Sequence, residues 1–519
     1  MRPLPFLLPK KLIGALCGLL FFGLAIFPAS APAKVIAETS SAKFLRMTLA
    51  EAIATALEHN EDIKESYRRI SAAEAAVMTA EGAYDVNVFN TSRYGRFDSL
   101  TTADYAPTAV TNAARGYLRT DTGFRQRIPT GGSLSTYYTY SHERMLGAFN
   151  QRRRADKNYL TVELAQSLLK GIGDKEARGA IQNAVLAVQD SEEGRSMVVS
   201  QVVLEVIRAY WMLEMAHNNL QVSKKTLGMA QEVLRREGVR FNQGISQGVD
   251  VDRAGMAVKQ REYTMLQYER DVAVAQEHLL LLINYPGYSR GTVILPSSSP
   301  NKSMAPLPDE QQSFTTALSN RYELKQLAIL LKQLDIEYDV NSNKLLPVLD
   351  VSGGYTTSNG NDHLRSAENF KDTSNKGSWF VGATFAFPLQ NREARGARDR
   401  TSQIIRIAHE RLSKTRRSVE TEIRDALHNL VLAKHGIPVA QSAYEKARKT
   451  MNGEMERFEM GGVNNRDLLA SHDALGREEI NLHAAIVNYN VTLAEYNYAC
   501  ALLIEKCQIA VGHNSARMR

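Results

Sequence analysis

Hydrophobic residues alternate with small or polar residues in several ten-residue segments of the chain. In the segment 379–387 one set of positions is strongly apolar, and the other contains residues such as Thr384. The apolar positions there are Trp379, Val381, Phe385 and Phe387. Similar alternation covers 345–355 and 160–168. A period of two predicts β-strands with one apolar face. That face fits either lipid around a membrane barrel with a wet lumen or the core of a soluble sheet.

A second pattern, with apolar steps of three and four residues, covers a long proline-free segment from Lys175 to Arg240. The positions that follow this spacing include Val199, Val203, Val206, Tyr210 and Leu213. The spacing predicts a helix with a coiled-coil seam. A helix of about 65 residues reaches roughly 100 Å, which is far longer than a globular domain needs. We interpret the pattern as long helices that pack side by side.

The chain contains an internal repeat. Ala56-Leu57 recurs 261 residues later, and the pentapeptide at 176–180 recurs letter for letter 217 residues later. We therefore predict a first structural repeat at 46–285, a linker rich in Pro, Ser and Gly at 286–312, and a second repeat at 313–508. Each repeat is predicted to contain a helix, strands, a very long helix, a tip turn and a further helix.

Matching residues of the two repeats lie 261 positions apart up to Tyr94 but 217 positions apart from Glu176 onward. The first repeat therefore contains 44 extra residues between Tyr94 and Glu176. Two alternating segments flank a Pro-Thr-Gly-Gly turn signal at 129–132 and predict an extra hairpin at about 98–142. Arg119, Arg125 and Arg127 fall on one face of it. This hairpin either extends the rim of a barrel or forms an elaborated loop.

The turn after each long helix is the most specific local motif, with a glycine at Gly244 in the first repeat and at Gly461 in the second. Glycine suits the left-handed residue that ends a helix. We predict that both turns form one tip surface for docking and gating; the alternative is a plain helical hairpin. The docking candidates are Arg240, Gly244, Ile245, Ser246, Asp250, Arg457, Gly461, Gly462 and Val463, and the gate candidates are Asp467 and Arg466.

The first 33 residues are typical of a secretory signal peptide, with a basic start, an apolar stretch at 12–27 and small residues up to Ala33. An uncleaved anchor is the alternative, although the apolar stretch is short for a membrane span. Loss of this segment leaves 60 basic and 56 acidic residues, a charge of +4 that gives nucleic-acid binding no support. An exported chain without spanning helices is periplasmic, secreted or an outer-membrane barrel.

Enzymatic motifs are missing from the sequence. The 11 histidines form no HExxH pair, the glycine pairs lack the Lys-Ser/Thr of a phosphate loop, and no nucleophile elbow occurs. Cys500 and Cys507 would lie about 10 Å apart on a continuous helix, too far for a disulfide, and we interpret them as buried helix residues. We expect no catalysis, no cofactor and no metal site.

Taken in their order along the chain, the motifs of the two repeats resemble those of the TolC family of outer-membrane efflux proteins. The matching segments are the opening at 49–60, Gln166-Ser-Leu-Leu, Ala209-Tyr-Trp and the two tip turns. The resemblance implies a mixed, mainly α fold, in which a trimeric β-barrel continues as a long periplasmic α-helical barrel. It also implies that each chain of a homotrimer supplies four strands to a twelve-stranded barrel.

The resemblance further implies a passive exit channel of a tripartite efflux or type I secretion system. Its tip would meet a periplasmic adaptor that is coupled to an inner-membrane pump, and its apolar strand faces would meet outer-membrane lipid. Family members close the tip with an acidic ring; Asp467 matches one acidic position, whereas Ala470 stands where some relatives have a second. The alternative is a periplasmic or surface coiled-coil interaction protein without a channel. The sequence identifies neither the cargo nor the class of pump.

Overall fold

The protein, seen in a computed structural model, consists of an antiparallel sheet and two very long helical hairpins that continue from its strands. The structure describes residues 44–103, 106–146, 152–286, 292–304, 306–359, 377–460 and 465–509. The predicted signal peptide at 1–33 lies outside these ranges.

The helices are α1 (Leu49–His59), α2 (Glu61–Glu81), α3 (Lys175–Asn242), α4 (Gly248–Ile283), α5 (Glu310–Asn320), α6 (Tyr322–Asn343), α7 (Arg392–Glu459), α8 (Asn465–Ala499) and α9 (Leu503–Lys506). The strands are β1 (Phe44–Met47), β2 (Asn87–Ala103), β3 (Ala106–Ile128), β4 (Gly132–Leu146), β5 (Arg152–Ser167), β6 (Val293–Pro296), β7 (Val348–Asn359) and β8 (Gly377–Ala386). The mainly α fold predicted from the sequence is confirmed.

Register divides the large sheet into an apolar face and a polar face. Trp379 pairs with Tyr355 and Phe385 with Leu349, while Thr384 pairs with Asp350 on the opposite face. Val381, opposite Gly353, shares the face of Trp379, and Phe387 lies just beyond the end of β8. The alternation read from the sequence therefore matches the register of these strands.

Within the described residues the sheet has six strands, in the order β2-β3-β4-β5-β7-β8. This is two strands more than the four per chain that the resemblance implied for the barrel. The extra strands are β3 and β4, which form a hairpin between β2 and β5 and fall largely within the predicted segment 98–142. Because β4 pairs with β5 over fifteen consecutive residues from Gly132 to Leu146, the insert is part of the sheet rather than a loop beside it.

The two long helices, α3 and α7, each contain 68 residues, which corresponds to roughly 100 Å. Each begins after a residue with left-handed backbone, Asp174 (φ 47°) or Asn391 (φ 42°). These two residues lie 217 positions apart, at the offset of the repeat. The same local geometry therefore turns the chain from sheet to helix in both halves.

The opening helical segment of the first repeat is divided into α1 and α2. Thr48 and Glu51 form a capping box at the start of α1, and α1 ends at Asn60. The Asn60 side chain accepts a hydrogen bond from the Ile63 amide (3.2 Å) and donates one to the Leu282 carbonyl oxygen (2.9 Å). Asn60 thus ends α1, caps α2 and ties the break to the end of α4.

The largest hydrophobic cluster, called here the central core, joins α1, α3, α4 and α8 with the small parallel sheet β1–β6. Its most buried side chains include Val203, Val206, Tyr210, Leu213 and Ile294. The Tyr210 hydroxyl donates to the Met47 carbonyl oxygen (3.0 Å) and accepts from the Ser298 amide (2.9 Å). Part of the predicted linker, β6, is therefore a buried element of the core.

One described helix, Ile172–Asn242, is long and apolar enough by composition to cross a membrane. However, 61% of its apolar window is buried within the chain, where it forms part of the central core. The apolar composition of this helix is thus explained by packing.

Candidate docking and gating site at the helical tip

The tip of the first hairpin ends α3 with a glycine in the left-handed conformation. Gly244 has φ 74°, its amide donates to the Phe241 carbonyl oxygen (2.9 Å), and the Ile245 amide donates to the Arg240 carbonyl oxygen (2.9 Å). This pair of bonds is the Schellman arrangement that satisfies the last carbonyl groups of a helix. The turn leaves the Ile245 side chain 65% exposed at the end of the hairpin.

A buried carboxylate holds this turn to the second hairpin. Glu237 is only 2% exposed, although it lies near the end of a long surface helix. Its two oxygens accept hydrogen bonds from the Ser246 hydroxyl (2.7 Å) and from the Asn465 side-chain amide, and Arg240 lies 3.5 Å away. Glu237 therefore links α3, the tip turn and the start of α8.

Glu237 was not among the residues predicted from the sequence. The available signal was its position in a series of buried residues that recur every seven positions along α3. The preceding members are the small residues Ala216, Ser223 and Ala230. An acid at a seam position of this kind is a buried charge, which needs hydrogen-bonding partners.

A groove of about 1000 Å³ lies between α4 and α8 above the tip turn. Of the predicted residues, it brings together Arg240, Ile245, Ser246, Asp250 and Arg466. Ala470, where some relatives are acidic, also lines it. Residues that sequence reasoning had not selected, Arg253, Arg261 and Asp473, complete its polar wall.

The shortest charged contact in the groove joins the two hairpins directly. The Arg261 guanidinium on α4 lies 2.6 Å from the Asp473 carboxylate on α8, and the Arg261 side chain is only 12% exposed. By contrast, Arg253 and Asp250 form a more exposed pair within α4 at 3.4 Å. The Asp473 side chain is 46% exposed, but the burial of Arg261 reduces the solvent screening of this pair relative to the exposed one. Arg261–Asp473 is therefore an ion pair that links the two hairpins across the groove.

The remaining predicted tip residues lie elsewhere. Arg457 pairs with Glu454 within α7 at 3.2 Å. Asp467 is exposed in the first turn of α8 and is not among the residues that line the groove. Gly461, Gly462 and Val463 lie outside the described residues. The structure therefore gathers the first-hairpin candidates with Arg466 and leaves Asp467 outside that group.

Further contacts between polar side chains join α3 to α8 along the hairpins. They are Arg208–Glu495 (2.6 Å), Glu214–His483 (2.7 Å) and Lys225–Glu479 (2.9 Å). Nearer the tip, burial lowers the pKa of His472, whose Nε2 atom has no hydrogen-bond partner in the structure. Within the described ranges, no group of three or more His, Cys, Asp or Glu side chains is arranged to hold a metal ion.

Several solved outer-membrane proteins have a similar fold. The Campylobacter jejuni outer membrane channel CmeC matches with a TM-score of 0.62 and 15% identity, over 88% of this chain and 86% of that one. A membrane protein from Pseudomonas aeruginosa matches with a TM-score of 0.64 and 16% identity, over 87% and 93%. The open state of the Neisseria gonorrhoeae MtrE outer membrane channel matches with a TM-score of 0.62 and 14% identity, over 88% of this chain and 89% of that one.

At these identities the structural matches establish the fold alone. No curated protein sequence matched the chain. A family model described as outer membrane efflux protein matches residues 131–285 and 314–496, which is more than half of the chain. The family description fits an outer-membrane exit channel, and the matched structures share the fold of this chain. On this evidence, the chain belongs to the outer membrane efflux protein family.

Proposed function

We propose that three copies of this protein form a passive exit duct that crosses the outer membrane and extends into the periplasm. The observation that carries the proposal is the two-faced sheet, whose strands lead directly into helices roughly 100 Å long. A sheet with one apolar and one polar face suits a wall between lipid and a wet lumen. The long hairpins would continue that lumen toward the inner membrane.

The apolar face is the proposed lipid contact. Trp379, Val381 and Phe385 on β8 are 76%, 71% and 68% exposed in the single chain. Val162, Leu164, Phe124 and Leu134 extend the same face across β5, β3 and β4. An apolar patch of this extent is unfavourable in water and marks a membrane or protein contact. Phe387, which follows β8, is proposed to lie at the edge of this band.

The helices also leave apolar seams that a second copy of the chain would cover. Val249, Met256 and Tyr263 on α4 lie seven residues apart and are more than half exposed, and Leu432 and Val439 on α7 repeat the spacing. Seven-residue spacing is the signature of a coiled-coil seam. We therefore assign these seams to contacts between copies in a homotrimer, the assembly that the resemblance implies.

The tip is the proposed meeting point with a periplasmic adaptor, coupled in turn to an inner-membrane pump of an efflux or type I secretion system. Ile245 offers an exposed apolar side chain beside the charged groove, and Gly461, Gly462 and Val463 occupy the corresponding turn of the second hairpin in sequence. Arg261–Asp473 and the contacts of Glu237 hold the hairpins together in this arrangement. Release of these contacts would open the tip, with Asp467 and Arg466 as further gate residues.

Two measurements test this function. Outer-membrane fractions should contain a trimer that resists SDS until it is heated; recovery of the chain as a soluble periplasmic monomer would rule out the duct. In planar bilayers, Arg261→Ala and Asp473→Ala should raise conductance and antibiotic leakage while the trimer persists. Lys225→Ala, at a more exposed pair between the same hairpins, is the matched control and should behave as the wild type.

A further inference from the structure

The extra hairpin β3–β4 forms a continuous part of the sheet. On its two sides it makes long antiparallel pairings, β3 with β2 and β4 with β5. Side chains also connect its strands on the polar face, where Asp121 accepts hydrogen bonds from Arg119 (3.1 Å) and from the Thr139 hydroxyl. Arg125 donates to the Ser135 hydroxyl (3.3 Å) and lies 5.3 Å from the centre of the Phe89 ring on β2.

The turn of this hairpin is fixed at the junction between the sheet and α3. The Thr130 carbonyl oxygen accepts from the Gly173 amide and from the Gln166 side chain, both at 2.8 Å. The Arg127 guanidinium lies 2.5 Å from the carboxylate of Asp174, which is only 1% exposed. A Cβ atom at Gly131 would lie 2.0 Å from the Gly171 carbonyl oxygen, so the backbones approach as closely as glycine allows.

At this hairpin the polar face of the sheet is less exposed than the apolar face. Ser135 and Thr139 on β4 are 7% and 3% exposed, whereas Leu134 and Phe124 on the apolar face are 40% and 56% exposed. Thr161 on β5 continues the low exposure of the polar face. The inserted strands thus have the sheltered polar face and the exposed apolar face expected of a barrel wall between lipid and a wet lumen.

The six-stranded sheet ends in two edges, β2 and β8, that have no neighbouring strand in the described chain. Because six antiparallel strands alternate in direction, these two edges run in opposite directions. The β8 edge of one copy is therefore suited to pair antiparallel with the β2 edge of the next, and closure removes exposed edges.

We propose that β3 and β4 are wall strands, so that three copies close an eighteen-stranded barrel through β2–β8 contacts between neighbours. This inference rests on the proposed trimeric duct and goes beyond it. Barrel diameter grows roughly in proportion to strand number, so the lumen would be about one and a half times as wide as with four strands per chain. The outer-membrane part of the duct would admit bulkier cargo, with the polar face of the inserted hairpin as part of its lining.

A cysteine grid tests which strands meet between copies. Cys500 and Cys507 are first replaced by alanine, and trimer formation is checked. Single cysteines at Ser378, Gly382 or Thr384 on β8 are then combined with Asn87 or Thr91 on β2, or with Ser135 or Thr139 on β4. Wall strands predict disulfide-linked trimers from the β2–β8 pairs and not from the β4–β8 pairs. They also predict no link within a chain between Thr91→Cys on β2 and Thr161→Cys on β5, because β3 and β4 then separate these two strands. A β2–β5 link within the chain, links from β4–β8 pairs, or a trimer without β2–β8 links would overturn the proposal.

A second experiment measures lumen width. Deletion of residues 106–146 removes β3 and β4 and leaves four strands per chain. Thr161→Cys, present in the full and shortened chains, is labelled from outside with maleimide polymers of graded size, and Val162→Cys on the opposite face is the control. The full chain should accept larger polymers than the deletion variant; equal limits would contradict the wider lumen. If the shortened chain does not assemble, the cysteine grid decides. Absence of any trimer of the full chain would instead defeat the proposed duct itself.

Discussion

The central core and the tip are built by the same two helical hairpins but are held together by different forces. In the central core, fully buried side chains such as Val206, Tyr210 and Leu213 pack in one large cluster. At the tip the apolar clusters are small, and Glu237 and Arg261 supply hydrogen bonds and charge between hairpins. Apolar packing in a large cluster is lost only when the whole cluster opens, whereas a few hydrogen bonds and ion pairs are released in a local step. This difference supports the proposal of a fixed middle and a tip that is able to open.

The largest expected effect on stability comes from substitutions that create a cavity in the central core or at the tip. Leu213→Ala should lower the free energy of unfolding by about 2–5 kcal/mol and reduce the yield of trimer, since Leu213 is fully buried in the central core. Leu468→Ala removes the same atoms from a small tip cluster and should cost less stability while increasing leakage. Thermal melting of the detergent-solubilised protein provides the comparison. Equal losses at the two sites would show that the tip is as rigidly packed as the middle.

A smaller effect is expected at the buried carboxylate of the tip. Glu237→Leu removes the acceptor for Ser246 and Asn465 and should weaken the closed tip by about 1.5–3 kcal/mol, the usual contribution of a hydrogen bond to a charged group. Single-channel recordings should show more frequent opening, with trimer yield unchanged. Glu232→Gln, on the same helix with a side chain 38% exposed and ion pairs to Arg235 and Arg236, is the control. Wild-type recordings from Glu237→Leu would refute its role as a link.

The next largest effect is expected from substitution of Gly244, the glycine of the first tip turn. Gly244→Ala places a Cβ atom on a residue with φ 74° and should destabilise the turn by about 1–2 kcal/mol. Gly255→Ala, inside α4 with no atom near the added Cβ, should instead stabilise its helix slightly. Binding of a cross-linkable adaptor at the tip distinguishes the two variants. Similar loss of binding in both would indicate that backbone geometry at Gly244 is not the cause.

Periodic patterns predicted the elements of this protein well because they are set by which residues each element buries. The seam around Tyr210 and the alternation around Trp379 both correspond to faces seen in the structure. Proline-free sequence likewise predicted the length of α3. The TolC-like resemblance, drawn from the order of these patterns, is confirmed by the family match.

Features that depend on contacts distant in sequence were not predictable in the same way. The break at Asn60 depends on the Leu282 carbonyl oxygen, 222 residues away. The hydrogen bond between Glu237 and Asn465 spans 228 residues. The place of β3 and β4 in the sheet required pairing partners that alternation alone does not specify. The repeat boundaries, and the roles of Asp467, Arg466 and the second tip turn, remain predictions.

The smallest expected effect is a pH dependence confined to the tip. Burial lowers the pKa of His472 from its reference value of 6.5, so the folded tip favours the neutral imidazole. Its contribution to stability is fully present above pH 6.5 and is lost as the pH falls toward the lowered pKa of the folded state. Hydrogen exchange in the first half of α8 should therefore accelerate between pH 7.5 and 5.5, after correction for the intrinsic rate, and the central core should not respond. His472→Gln should remove the pH response, whereas His435→Gln, at an exposed histidine of α7, should preserve it. An equal response in the central core would mean that acid loosens the whole hairpin and that the tip is not separately adjustable.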